Sequence, residues 1–202
     1  MVTRRDDSAS KKPPALAKGT EVKQLLRMKK ACLVVCLGIA TTLLGAEPKE
    51  TFTVDRFTFA VPEGWKKVAP PSPMRKAQLE VGEGSSKAEV TFFHFGGGSG
   101  STADNVSRWF SQFAGSEANR KTENTEVNGM KITFVETAGT FSSGMPGGPT
   151  TPMPDYALRG AILENAASGH VYVKMTGPEA VVKIATPAFA EMVRNAAQSA
   201  GR

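Results

Sequence analysis

Few residues in this chain have the type and spacing that chemistry requires. Gly97-Gly98-Ser99-Gly100-Ser101 stands between a strand-like run and a helix-like run, where a nucleophilic serine would be displayed. The order is not Gly-x-Ser-x-Gly, and only His94 and His170 could serve as its base. The same glycines could aim backbone N–H groups and a helix N-terminus at a small anion. The lysine of a phosphate loop is absent, however, and Asp104 would repel a phosphate. A metal would need both histidines together with carboxylates such as Glu136 or Asp155, drawn in by the fold. Asn105-Val106-Ser107 is a glycosylation sequon at a helix start. The reading is a flexible connector and helix cap. No catalytic, cofactor or metal residue is assigned.

The elements that must position these residues are legible from periodicity. Phe52 and Val54, then Phe57, Phe59 and Val61, alternate as two short strands bent at Asp55-Arg56 and closed by a turn at Pro62-Glu63-Gly64-Trp65. Residues 69–73 carry three prolines and cannot be central strand. Residues 74–81 and 88–95 read as paired strands. In the second, Val90, Phe92 and His94 share one face and Thr91, Phe93 and Phe95 the other, which predicts a central strand covered on both sides. Ser101 to Asp104 opens a helix over 102–114 with a capping box, and Val106, Trp109, Phe110 and Phe113 form its apolar face. Gly115 stops it. Asn128-Gly129 predicts a type I′ hairpin between 121–127 and 130–141. A second hairpin spans 156–176. Pro178 opens a short helix, and Thr186-Pro187 starts another that runs to about residue 198.

Residues 142–154 hold four prolines and three glycines, so they predict a long exposed loop that cannot complete a sheet ladder. Met145, Pro146, Pro149, Pro152 and Met153 are the candidate partner-binding residues, because thioethers among prolines offer a low-entropy apolar surface.

The N-terminal quarter concerns destination. Met28-Lys29-Lys30 precedes an uncharged run of 16 residues, Ala31 to Ala46, shorter than the ~20 a spanning helix uses. This is the layout of a signal peptide over 28–46 cleaved after Ala46. An uncleaved anchor is the alternative. Residues 1–27 read as a mis-called start or a disordered extension.

The charge asymmetry follows this division. The chain is +6, but residues 47–202 hold 16 basic and 16 acidic residues. A neutral domain has no general pull on phosphate backbones, so nucleic acid is excluded as a partner class. Both cysteines, Cys32 and Cys36, lie in the apolar run. Residues 47–202 therefore read as one domain with neither disulfides nor thiol chemistry.

The alternating strand running into a turn, Phe57-Thr58-Phe59-Ala60-Val61-Pro62-Glu63-Gly64-Trp65, resembles the PsbP-like superfamily. The closing Lys174-Met175-Thr176-Gly177-Pro178 before a helix is also similar to small exported proteins of that kind. The resemblance implies an α+β fold: an antiparallel sheet of about six to eight strands with helices packed on its faces. It implies a mostly accessory role and transfers no functional residue. The expected function is an exported, soluble accessory or binding protein without catalytic activity and without a cofactor. A protein partner is expected, and a membrane only if the signal stays uncleaved. An extracytoplasmic hydrolase and a membrane-anchored structural subunit are the alternatives.

Overall fold

A computed structural model of the chain describes residues 49–143 and 151–200, all within the unit Ala46–Arg202. β1 (Thr51–Val54) and β2 (Phe57–Ala60) form a small hairpin. Its turn residue Asp55 takes φ 53°, a conformation short polar side chains tolerate. The main sheet comprises β3 (Lys66–Val68), β4 (Arg75–Glu83), β5 (Ser86–His94), β6 (Phe113–Ala114), β7 (Lys121–Val127), β8 (Met130–Ser143), β9 (Thr151–Leu163) and β10 (Val171–Pro178). Its order is β3-β4-β5-β10-β9-β8, and β6 and β7 both pair with β8 at the far edge. Every pairing is antiparallel, so the α+β class expected from the sequence is the observed one.

Strand alternation divides the core between two faces. On one, Val90, Phe92, Phe134, Val173 and Met175 meet Phe57 and Phe59 of the small hairpin. The same face meets Val182, Phe189, Val193 and Ala196 of α2 (Glu179–Ala200). The last carbonyls of α2 are satisfied from outside: Arg56 donates to Ala200 O and Asn128 Nδ2 to Gln198 O. On the other face, Val135, Leu158, Ile162 and Tyr172 pack under Trp109 of α1 (Thr102–Phe110). The capping box is complete. Ser101 Oγ accepts the Asp104 N–H at 3.1 Å, and Asp104 Oδ2 accepts the Ser101 N–H at 3.2 Å.

Four local expectations are corrected. The helix expected over 102–114 ends at Phe110, with Ser111 as its C-cap. The chain then leaves so that Phe113 and Ala114 can pair with Phe141 and Thr140; Phe113 joins the same apolar cluster from a strand. The two expected C-terminal helices are one, with Pro187 inside it. Pro187 and Lys183, four residues back, are both exposed, so the carbonyl left without an N–H faces water.

The loop expected over 142–154 shrinks at both ends, because β8 continues to Ser143 and β9 begins at Thr151, with Pro152 opposite Ser142 and Met153 opposite Phe141. The prolines fit there because β10 stops at Pro178 opposite Tyr156, so this end of β9 has a neighbour only in β8. Met145, Pro146 and Pro149 lie outside the described residues. Finally, β5 is buried at Val90 and Phe92 on one face and at Thr91 on the other, but the second face opens at Phe93 and, just past the strand, at Phe95, which is 45% exposed.

One contact fixes the α1 layer. Gly160 on β9 lies directly under the Trp109 ring, so that a Cβ there would overlap the indole. Gly160→Ala is expected to cost about 1–3 kcal/mol by forcing the indole off the sheet. Trp109→Ala should cost about 3–5 kcal/mol, as for other emptied aromatic sites. Urea unfolding of both variants checks this. Parent-like midpoints would show that the indole does not carry the layer.

Candidate functional site

α1 covers the β8–β9–β10 half of its face and does not extend over β4 and β5, which are exposed toward Phe95 and Glu89 but closed at Gln78 and Thr91. The register places three side-chain rows there. Arg75, Phe93 and Tyr172 lie side by side; Gln78, Thr91, Lys174 and Gly160 form the next row; Glu80, Glu89 and Thr176 the third. Gln78, Thr91 and Tyr172 are buried. Phe93 and Phe95 stack at 5.8 Å between ring centroids. Met74, just before β4, is 62% exposed, and is with Phe95 one of the few large apolar side chains left in water.

Lys174 sits where the covered and open halves meet. Its ammonium donates to Gln112 Oε1 at 2.5 Å and lies 5.2 Å from the centre of the Phe141 ring. Among the described residues it has no carboxylate partner. The charges that act on it are the like charges of Arg108 and Arg75. Burial lowers its pKa to about 8, with Arg108 and Arg75 adding to the effect. Arg108, in the last turn of α1, donates to Asn105 Oδ1 and likewise has no acid within ion-pair reach among the described residues. Arg75 differs, being paired with Glu89 at 3.2 Å. Two cations without an ion-pair partner among the described residues, Arg108 feeling the charge of Asp104 one turn back, stand beside the stacked Phe93 and exposed Phe95 rings and form a surface suited to an anion.

The residues singled out in the sequence are placed elsewhere. His94 Nε2 bonds the Ser168 carbonyl at 2.9 Å, and His170 Nδ1 accepts the Asn165 N–H at 3.1 Å. Both histidines hold the β9–β10 turn. Asp55 completes that cluster by accepting Ser168 Oγ at 2.7 Å and Asn165 Nδ2 at 2.9 Å. Aspartate, histidine and serine thus meet, but the serine donates to the carboxylate and not to the imidazole, so the order needed to activate a nucleophile is not made. Burial raises the Asp55 pKa. Donation by Ser168, the Arg56 backbone and Asn165, with the charge of His94, outweighs it and leaves the carboxyl below its usual range.

Ser99 shares a hydrogen bond of 2.6 Å with Tyr172, and Asn105 Nδ2 donates to the Ser99 and Ser101 carbonyls. The glycine loop is therefore tied to the sheet, and the sequon asparagine, 1% exposed, is not available for glycosylation in the fold. Glu136, three strands and four register positions from His94, pairs with Arg159 at 2.5 Å. Asp155 lies within β9 at φ 55°, between the Met153 and Tyr156 pairings to β8. Neither carboxylate meets the histidines, and no group of three metal-ligating side chains exists among the described residues.

Two further recesses were not legible in the sequence. One of about 540 Å³ contains Arg159, Glu136, Lys121 and Glu123, with the Arg159 and Arg194 guanidiniums 4.8 and 5.1 Å from the Phe134 ring. There Arg159 already has its carboxylate, although its Nε is buried without a partner. The other, about 790 Å³, lies between α1 and β7–β8 and is lined mainly by hydroxyl and amide groups such as Thr122, Asn124 and Thr133. In the first, Arg159 and Lys121 both face Glu136, and in the second Lys131 shares the lining with Glu126 and Glu164, without an aromatic side chain.

No protein-family model matches this chain, and no curated protein matches it. Among solved structures, it is similar to a Pseudomonas aeruginosa protein of unknown function, at 14% identity and a TM-score of 0.38, over 72% of this chain and 94% of that one. It is also similar to the solution structure of cyanobacterial PsbP from Synechocystis, at 14% identity and a TM-score of 0.45, over 78% of this chain and 95% of that one. The second belongs to the family that the Phe57–Trp65 pattern resembles.

Lys174 and Asp55 should leave opposite marks on stability. The folded lysine holds its proton less tightly than the unfolded one, so it costs stability below pH ~8, and the cost fades as pH climbs toward 10.5. Lys174→Met should therefore gain up to about 3 kcal/mol at pH ~7 and lose that gain by pH ~10.5. A melting-temperature difference that stays flat across this range would refute the lysine assignment.

Asp55 has a lowered folded pKa. Its contribution is present above the unfolded value of 3.8 and disappears as pH falls through the folded one. Asp55→Asn, which keeps a residue tolerant of positive φ, should melt below the parent near pH ~6 and converge with it near pH ~2. Equal melting at both pH values would mean that the turn is held without the carboxylate.

Proposed function

We propose that this chain is an exported, soluble accessory or binding protein with no catalytic activity of its own. The observation that carries the reading is the contrast between two ends of one sheet face. The serines and histidines able to do chemistry are engaged in holding the 96–101 loop and the β9–β10 turn. Lys174, Arg108, Phe93 and Phe95 are instead arranged as a surface to be covered. Among the described residues no helix is long and apolar enough to cross a membrane. Export rests on the Met28–Ala46 layout and the neutral composition of residues 47–202. Met145, Pro146 and Pro149 in the 144–150 connection are proposed as a protein-partner contact. Pro152 and Met153 would flank it from the paired end of β9.

The test follows the full chain through a bacterial host. Intact-mass measurement of the exported protein is expected to place Glu47 first. Crosslinkers at Met145 or Phe95 should then capture a specific extracytoplasmic partner. A full-length product retained in the membrane fraction would favour the anchored subunit instead. Hydrolytic turnover that copurifies with the protein and is lost with a single substitution would replace the binding reading by an enzyme.

A further inference from the structure

The open face over β4, β5 and β10 carries a more specific reading, which rests on the binding function proposed above. We propose that this face binds a small organic carboxylate with a flat apolar body, its charge between Lys174 and Arg108 and its body on Phe93 and Phe95.

The charge half follows from what surrounds Lys174. From α1 and the residues after it come Gln112 and Arg108, the latter with the charge of Asp104 one turn back; from β4, Arg75; from β5, Glu89, already held by Arg75 at 3.2 Å. From β8 comes the face of Phe141, behind which stacks Tyr156 of β9 at 6.1 Å. The ammonium is thus left with one amide oxygen and an aromatic ring. A carboxylate supplies the missing counter-charge and can accept from both cations. A single negative charge suits the site better than a phosphate dianion, because Glu89 stands on the same face.

The apolar half follows from register. Thr91 is opposite Lys174, and Phe93 is two residues beyond it, so Phe93 is the diagonal neighbour of Lys174, about 7–8 Å away and within reach of long side chains. Phe95 stacks on Phe93 at an interplanar angle of 21° and continues the surface outward. A ring or planar acyl group bound at Lys174 would lie along this strip.

Binding and protonation are then coupled. The lysine titrates near pH 8, and only its charged form attracts the anion, so ligand raises its pKa and high pH weakens the ligand.

Calorimetry and amide NMR titration of the full chain would use phenylacetate, its neutral analogue phenylacetamide, and inorganic phosphate. Phenylacetate is expected to bind saturably, to shift the Phe95 and Gly96 amides, and to weaken by about tenfold per pH unit above pH ~8. Lys174→Met and Arg108→Gln should each lower its affinity by about tenfold or more. Lys174→Arg should keep binding but abolish the pH dependence, since arginine stays charged.

Equal binding of phenylacetamide would show that only the rings matter, and equal binding of phosphate that only charge matters; either overturns the proposal. So does the absence of saturation, or indifference to Lys174→Met. Partner capture without phenylacetate binding would overturn this inference alone. Phenylacetate binding by a chain that is never exported would overturn the reading of export alone.

Discussion

The indole of Trp109 lies against bare backbone at Gly160, and the arrangement of the α1 layer depends on that approach. Any side chain on β9 at this point would hold the helix away from the sheet. With glycine there, α1 sits low over β8, β9 and β10. Tyr172 is then close enough to bond Ser99 at 2.6 Å and, at 3.4 Å, Asn105. The same low seat brings Arg108 and Gln112 to Lys174. A nine-residue helix cannot also span β4 and β5. The open half of the sheet is thus a consequence of how the covered half is packed.

The opposite face and the far end of the sheet are held differently. The β1–β2 hairpin is not part of the main sheet; it buries Phe57 and Phe59 against Phe92 and α2. Its turn is held by polar contacts to distant parts of the chain: Asp55 to Asn165 and Ser168, and Arg56 to the end of α2. These buried or half-buried groups are satisfied, which is what gives the turn one conformation. Residues whose types suggested catalysis are spent here. Asp55 in the left-handed region and the neighbouring glycine contact, where a Cβ on Gly169 would overlap the Gly96 backbone, show how closely the two turns approach.

Periodicity revealed the elements because most strands here have one buried face. The Asn128-Gly129 turn was legible from local chemistry alone, with φ of 50° and 77° as a type I′ turn requires. The failures share a cause: long-range pairing overrode local preference. Phe113 has helical spacing from Trp109, yet pairs with Phe141. Pro152 and Pro154 look like breakers, yet sit where β9 has a neighbour on one side only. Pro187 looks like a start, yet the apolar face from Val182 to Val193 is continuous enough to hold one helix through it. The candidate site was invisible for a related reason. Lys174 falls within an alternating strand, where a solvated lysine is the ordinary expectation. Nothing local to it encodes Gln112, Arg108 or the missing carboxylate.

That missing partner is the feature a purely structural account explains least well. A half-buried ammonium among like charges lowers stability at neutral pH, and a methionine of similar length would fill the space without the cost. Asp55 and Arg159 show that this fold can provide counter-charge or hydrogen bonds when a buried ion serves only the structure. Lys174 receives neither a carboxylate nor full exposure. Its surroundings instead combine an adjacent arginine that is in no ion pair among the described residues with two stacked rings, of which Phe95 is open to water. Strained electrostatics beside uncovered apolar surface are what a binding site shows before its ligand arrives, when part of the favourable interaction is still to be made. On this argument the cost at Lys174 and the exposure of Phe95 have one cause, and a single ligand would relieve both.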